Sequence, residues 1–191
     1  MANLRGKGAF EDVSLIVKLP AKGTLPGKDG KQGARFLEIQ VDQSLKNPAK
    51  VASGESKADS NPYLVSYNKT NPQTNSAYTS HRDKYWESQF ESIEKAAGDK
   101  AVTLDNGDKL YGITASLTKN AHGNLIIDAS KPMGPTKNPR FGANVLDKQA
   151  AVTKAAKEVR AKEREADKQA DAPEATVEAQ EPTAEQPEVC L

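Results

Sequence analysis

The chain has 191 residues and a formal net charge of +1, and its composition is lean in core-forming side chains. Hydrophobic residues make up 36% of the chain and aromatic residues only 5%, which favours a core domain of about 100 to 130 residues followed by loop or tail. No run of 18 apolar residues and no signal-peptide pattern occurs, so we expect a soluble, cytoplasmic protein that does not enter a membrane.

The sequence contains few residues of the types that form catalytic, metal or cofactor sites. Cys190 is the only cysteine, which excludes an internal disulfide and a cysteine-based metal cluster. His81 and His122 have no companions at metal-ligand spacing. The stretch "GTLPGKD" has three residues between its glycines, where a phosphate-binding loop needs four. We therefore expect no catalytic residue, no metal and no cofactor, and a protein that is not an enzyme.

The near-neutral total hides a sorted distribution of charge. The net charge is +4 over residues 1–147, +3 over 148–170 and −6 over 171–191. A basic body beside a wholly acidic tail predicts a polyanionic partner for the body and a separate role for the tail. The carboxylates of the tail are Asp171, Glu174, Glu178, Glu181, Glu185 and Glu188.

Three strand signals come first along the chain. Residues 13–19 alternate apolar and polar side chains, residues 34–42 place every second side chain on an apolar face, and residues 63–68 are rich in β-forming types. The segment between the first two strands is rich in glycine, proline and lysine, which predicts a mobile basic loop. Residues 43–62 show no sustained period and are expected to form a long loop.

A helix is expected next. Ser80 and Asp83 form a short capping box, the apolar residues Trp86, Phe90, Ile93 and Ala97 recur at helical spacing, and Gly98 marks the stop. We expect Trp86 and Phe90 to pack in the core.

A hairpin and a last strand follow the helix. The turn "DNGD" favours a hairpin because Asn106 and Gly107 tolerate positive φ. Its second arm alternates from Tyr111 to Leu117, and residues 125–130 read as a final strand. The expected order is strand, strand, strand, helix, strand, strand.

The C-terminal third is more polar. Residues 130–145 are proline-rich and basic, which favours an extended arm. Residues 146–167 favour a charged helix that is marginal alone, and residues 171–191 are expected to be disordered. The expected organisation is a domain over residues 1–132, an arm and helical linker over 133–170, and the tail over 171–191.

This layout resembles the single-stranded DNA-binding proteins of bacteria and their phages. The strand order is that of an oligonucleotide-binding (OB) fold, "DKLYGITASLTKNAHGNLIIDAS" is similar to the late hairpin of the family, and an acidic tail follows. The resemblance implies a mainly β, five-stranded OB-fold-like barrel with one helix between strands 3 and 4. It also implies sequence-nonspecific binding of single-stranded DNA in replication, recombination or repair.

The resemblance and the residue types nominate a binding surface. Aromatic side chains on or near strands are candidates for stacking on bases, and basic side chains in the loops and arm are candidates for contacting phosphates. For the three tyrosines, core packing is an equal alternative. The candidates are Lys22, Lys28, Lys31, Arg35, Phe36, Tyr63, Tyr67, Tyr111, Lys119, Lys131, Lys137 and Arg140.

The tail and the partners leave alternatives open. The tail is expected to act as an autoinhibitory polyanion or as a hook for replication or recombination proteins. It ends "PEVCL", where the bacterial family usually has proline followed by phenylalanine. A protein-interaction or virion-associated β-domain is the alternative function, and a binder of duplex DNA or RNA is a further one. The oligomeric state stays open.

Overall fold

The computed structural model describes residues 10–22, 37–64, 90–119 and 125–170, with side chains up to Asp167. These residues form one antiparallel sheet and three helices. The strands are β1 (Phe10–Leu19), β2 (Glu38–Val41), β3 (Ala101–Thr103), β4 (Lys109–Lys119), β5 (Leu125–Ile127) and β6 (Gly134–Pro135). The helices are α1 (Pro48–Ala52), α2 (residues 90–97) and α3 (Val145–Ala170).

The long strand β4 is the centre of the sheet. One of its edges pairs with β1 from Leu19↔Lys109 to Phe10↔Leu117, and β2 pairs with the far edge of β1. The other edge of β4 pairs in turn with β3, β6 and β5. The mainly β class that the sequence predicts is confirmed, and over the described residues the sheet is open rather than closed into a barrel.

Both faces of the sheet are covered. The first face carries the alternating residues Leu15 and Val17 of β1 and Ile113 of β4, which lie in the largest apolar cluster. Ile16 and Leu110 point to the other face and form a second cluster with Val145. The sequence predicted a half-buried first strand, but Leu15, Ile16 and Val17 are all at most 1% exposed.

Helix α2 covers the first face. Ile93 and Ala97 are buried in the large cluster and Phe90 packs against it, as the helical spacing predicted. Gly98 follows the helix at φ +54, a conformation that glycine adopts without steric cost. The predicted cap at Ser80 and Asp83, and the side chain of Trp86, lie outside the described residues.

The predicted hairpin joins β3 to β4. The amide of Gly107 donates to the carbonyl of Leu104 and the amide of Leu104 donates to the carbonyl of Asp108, both at 2.8 Å. Gly107 has φ +84. This is the arrangement of a turn closed by a glycine in the left-handed region. Asn106, which the sequence also allowed there, is not among the described residues with positive φ.

The predicted long loop over residues 43–62 contains a short helix, α1. The side chain of Asn47 accepts a hydrogen bond from the amide of Ala49, and Pro48 starts the helix, which are common features of a helix N-terminus. The loop then returns to the sheet, where Tyr63 forms an isolated antiparallel bridge with Gln40. The remainder of the predicted third strand, residues 65–68, is outside the described part.

The proline-rich segment after β5 is packed against the sheet, where the sequence predicted an extended arm. Residues 134–135 form β6, and Thr136 and Asn138 are 6% and 1% exposed. Phe141, Val145 and Leu146 then lie in the apolar cluster on the second face. The chain stays in place because the faces of β1 and β4 that it covers are themselves apolar.

Helix α3 is confirmed, and tertiary packing stabilises its first half. Val152, Ala155 and Ala156 are buried against Val51 of α1. Gln149 is 2% exposed and joins two distant segments: its Oε1 accepts from the amide of Gln43 at 2.8 Å, and its Nε2 donates to the carbonyl of Val41 at 2.7 Å. These contacts fix the position of the first half of α3 relative to the sheet.

Candidate nucleic-acid interface

Three of the predicted phosphate contacts lie toward the end of the sheet where β1 begins and β4 ends. Lys119 is the last residue of β4. The amide of Asp128 donates to the carbonyl of Ser116, and the amide of Lys131 donates to that of Asp128. Lys137 reaches the start of β1, where its Nζ lies 2.9 Å from Asp12 Oδ2.

A fourth predicted contact, Arg140, lies nearer the middle of β1, where Asn138 accepts from its backbone amide. The Nδ2 of Asn138 donates to Asp42 Oδ2 at 2.7 Å and to Ser44 Oγ at 3.0 Å, and its Oδ1 accepts from the amide of Arg140 at 2.9 Å. The amide of Asp42 in turn donates to the carbonyl of Ser14. We call this surface the basic end and define it by Lys119, Lys131, Lys137 and Arg140.

Carboxylates also lie at the basic end. Asp12 pairs with Lys137, but both side chains are more than two-thirds exposed, and such pairs contribute little free energy, about 0 to 1 kcal/mol. Asp128 accepts from Ser130 Oγ at 2.6 Å and from the Ser130 amide at 3.0 Å. These bonds lower the pKa of Asp128. A phosphate can exchange with Asp12 at Lys137, whereas Asp128 remains ionised.

Lys22 does not join the basic end. It follows β1 at the opposite end of the sheet, where the amide of Ala21 donates to Asp108 Oδ1 at 2.9 Å. The length of β1 separates the two ends by about 30 Å. The other predicted residues of that loop and strand, Lys28, Lys31, Arg35 and Phe36, lie outside the described residues, as does Tyr67.

The two described tyrosines of the predicted site differ in exposure. Tyr63 is 52% exposed, and it shares a sheet face with Gln40, since directly opposed residues point the same way. Tyr111 is 2% exposed in the large apolar cluster, and its hydroxyl lies 3.3 Å from Glu94 Oε1 on α2. Tyr111 is therefore a core residue, and its nomination for base stacking is corrected.

Tyr63 lies beside β2, level with the middle of β1, because its partner Gln40 is opposite Ile16. The amide of Val41 donates to the carbonyl of Pro62, and the amide of Leu64 donates to that of Ile39. Tyr63 is thus opposite Gln40, two residues before Asp42. Its partner Gln40 is about 7 Å along β2 from Asp42, and Asp42 accepts a hydrogen bond from Asn138.

The structure adds one basic residue that sequence reasoning missed. Arg160 of α3 donates through Nη1 to Ser60 Oγ at 3.0 Å, only three residues before Tyr63. The helix was predicted from composition, but its position beside this loop depends on contacts between residues about a hundred apart in the chain. The helical spacing of the basic residues in α3 was the sequence feature from which a basic surface on this helix could have been predicted.

No group of metal-ligating side chains occurs within the described ranges. None of the described helices has the length and apolar content to cross a membrane. The chain matches no protein-family model, no curated protein and no solved structure. The surface residues are therefore the basis for inferring a function.

Proposed function

We propose that this protein binds single-stranded DNA without sequence preference, with Tyr63 stacking on a base and the basic end contacting phosphates. The observation that carries the proposal is the exposure of Tyr63, whose side chain is 52% accessible on a sheet surface that is otherwise well covered. An exposed aromatic ring is a surface on which an unpaired base can stack, whereas the bases of a duplex are already stacked on one another.

The expected energies suit such a role. Stacking of one base on an aromatic side chain contributes about 1 to 3 kcal/mol without reading sequence. Lys119, Lys131 and Arg140 would add phosphate contacts that release counterions and make binding salt-dependent. At Lys137 a phosphate must displace Asp12, which reduces the contribution of that residue.

The proposal includes an OB-like arrangement of the sheet. Three features support it: β1 is shared between β2 and β4, the isolated bridge Gln40↔Tyr63 places Tyr63 beside β2, and helix α2 precedes the hairpin that contains β4. In OB folds the face of strands 2 and 3 binds oligonucleotides. Tyr63, beside β2, is the candidate for that face.

We further propose roles in DNA replication, recombination or repair in the cytoplasm, with residues 171–191 acting on the same surface. Six carboxylates tethered to the domain would compete with DNA for the basic side chains at high effective concentration. Deletion of Asp171–Leu191 is then expected to raise the affinity for DNA, chiefly at low salt. An unchanged affinity would leave the tail as a hook for partner proteins.

Binding to oligo-dT, measured by fluorescence anisotropy, tests the proposal. We expect affinity to fall steeply between about 50 and 200 mM salt. Tyr63→Ala is expected to weaken binding by about 5- to 150-fold, the equivalent of 1 to 3 kcal/mol, while Tyr63→Phe keeps the ring and most of the affinity.

Competition with duplex DNA and RNA gives the decisive control. Preference for single strands with sensitivity to Tyr63→Ala supports the proposal. Preference for duplex, or an affinity that Tyr63→Ala leaves unchanged, contradicts it. Absence of binding at low salt would exclude the nucleic-acid function and favour the protein-interaction alternative.

A further inference from the structure

Four of the basic side chains of helix α3 form a row along one side of it. Lys154, Lys157, Arg160 and Arg164 are all exposed, and at 3.6 residues per turn they fall within an arc of about 120°. We call this row the α3 stripe. The carboxylates of α3 among residues 145–167 all fall outside that arc. The four residues therefore form a row of positive charge about 15 Å long, which carboxylates border on both sides.

The packing of α3 orients the α3 stripe. Val152, Ala155 and Ala156 face α1 and are buried, so the stripe lies on the far side of the helix. Lys154, Lys157 and Arg164 form no ion pair with other described residues. Their charges are therefore available to a partner, and repulsion between neighbouring cations is relieved when that partner is an anion.

The α3 stripe is continuous with the proposed stacking residue. Arg160, at the margin of the stripe, bonds the hydroxyl of Ser60, and three residues of extended chain lead from Ser60 to Tyr63, a distance of at most about 10 Å. The exposed ring and the stripe thus border the same stretch of loop. A strand that stacks on Tyr63 can continue onto the helix.

We propose that the α3 stripe is a second phosphate-binding surface, which lengthens the single-stranded DNA site beyond the sheet. The inference rests on the proposed function and extends it, since it assigns to residues of the helix the contacts made by nucleotides that flank the one stacked on Tyr63. Charge of a single sign, exposure and continuity with Tyr63 favour a nucleic-acid backbone as the occupant.

The test compares two triple variants of the full-length chain. Lys154→Gln, Lys157→Gln and Arg164→Gln together neutralise the α3 stripe but keep the contact between Arg160 and Ser60. Lys95→Gln, Lys100→Gln and Lys162→Gln together remove the same charge outside the α3 stripe, Lys162 being on α3 but on another side of the helix. Each change retains a good helix former, and circular dichroism with thermal melting checks that both variants keep the fold.

The salt dependence of binding to oligo-dT is the readout. Loss of three phosphate contacts is expected to reduce the slope of log affinity against log salt by about 2, so the stripe variant would lose about 16-fold less affinity than the unmodified chain between 50 and 200 mM salt. The effect should appear with oligonucleotides of about 16 nucleotides and be small with about 4, the range of site sizes for one OB fold. The control variant should keep the slope.

The outcomes separate the two proposals. An unmodified chain that binds no oligo-dT contradicts the proposed function itself. If it binds, an equal slope in the two variants, or an effect independent of oligonucleotide length, overturns the role of the α3 stripe alone. Tighter binding by the stripe variant would also overturn it, because the stripe would then stabilise a state that excludes DNA.

Discussion

The ring of Phe141 lies directly over Gly112. A Cβ placed at position 112 would be 2.7 Å from Phe141 Cδ2 and 2.6 Å from Thr136 Cγ2, distances that close-packed atoms do not adopt. The glycine in the middle of β4 therefore makes room for the C-terminal segment, which covers the second face of the sheet and leads into α3.

This contact predicts that Gly112→Ala destabilises the protein. The added methyl group must displace the Phe141 ring or Thr136, and overpacking of this kind costs about 1 to 3 kcal/mol in the free energy of unfolding. Urea denaturation measures the change. Combination with Phe141→Leu should recover part of the loss, and strict additivity of the two changes would show that the methyl group does not meet the ring.

We expect Gln149 to be a second position at which substitution destabilises the protein. Gln149→Leu leaves the amide of Gln43 and the carbonyl of Val41 without their side-chain partners, and each unsatisfied buried group costs about 1 to 3 kcal/mol. Chemical denaturation should show a large loss. The neighbouring exposed change Asp147→Asn should stay within about 0.5 kcal/mol, and a similar effect of both would contradict the assignment.

A substitution at Tyr111 tests whether this residue contributes to the stability of the core or to DNA binding. Tyr111→Phe removes the hydroxyl that lies 3.3 Å from Glu94 Oε1, which should lower the free energy of unfolding by about 0.5 to 1.5 kcal/mol. Affinity for oligo-dT should not change, because the ring is buried. Reduced affinity with unaltered stability would return Tyr111 to the binding surface.

We expect the hydrogen bonds of Asp128 to make a pH-dependent contribution to the stability of the fold. The hydroxyl and the amide of Ser130 hold the pKa of Asp128 below its ordinary value of 3.8. Because the pKa is lower in the folded chain, these bonds stabilise the fold above pH 3.8, and the contribution is lost as pH falls through the folded pKa. We expect Ser130→Ala to raise the pKa toward 3.8.

Carboxyl chemical shifts in an NMR titration measure that pKa directly. Ser130→Thr keeps a hydroxyl and should leave the pKa lowered, which makes it the matched control. A Ser130→Ala variant with the original pKa would show that the hydroxyl does not act on the carboxylate. The stability difference between the alanine variant and the parent should vanish at low pH.

The local pattern of the chain was sufficient for several elements. Alternation of side chains predicted β1, β2 and β4, and the pair Asn106 and Gly107 marked the hairpin that the structure contains. Gly98 ended a helix whose buried residues Ile93 and Ala97 recur at helical spacing. These features depend on backbone geometry and on one apolar face, which are properties of neighbouring residues.

The binding candidates were predictable by type but not by exposure. Tyr63 and Tyr111 both lie in β-forming, partly apolar stretches, yet one is 52% and the other 2% exposed. The difference depends on which segment covers each residue. Local alternation does not identify that segment, so stacking and core packing stayed equal alternatives for both.

By itself, the sequence determined where β1, β2, β4, the hairpin turn and the charged helix lie, because periodicity and turn chemistry act between near neighbours. Only the tertiary structure decided that residues 134–149 cover the sheet, that Gln43 bonds Gln149 across 106 residues, and that Arg160 of α3 bonds Ser60. Such contacts arise from complementary shape and from buried polar groups that must find partners, and these leave no repeating signal along the chain.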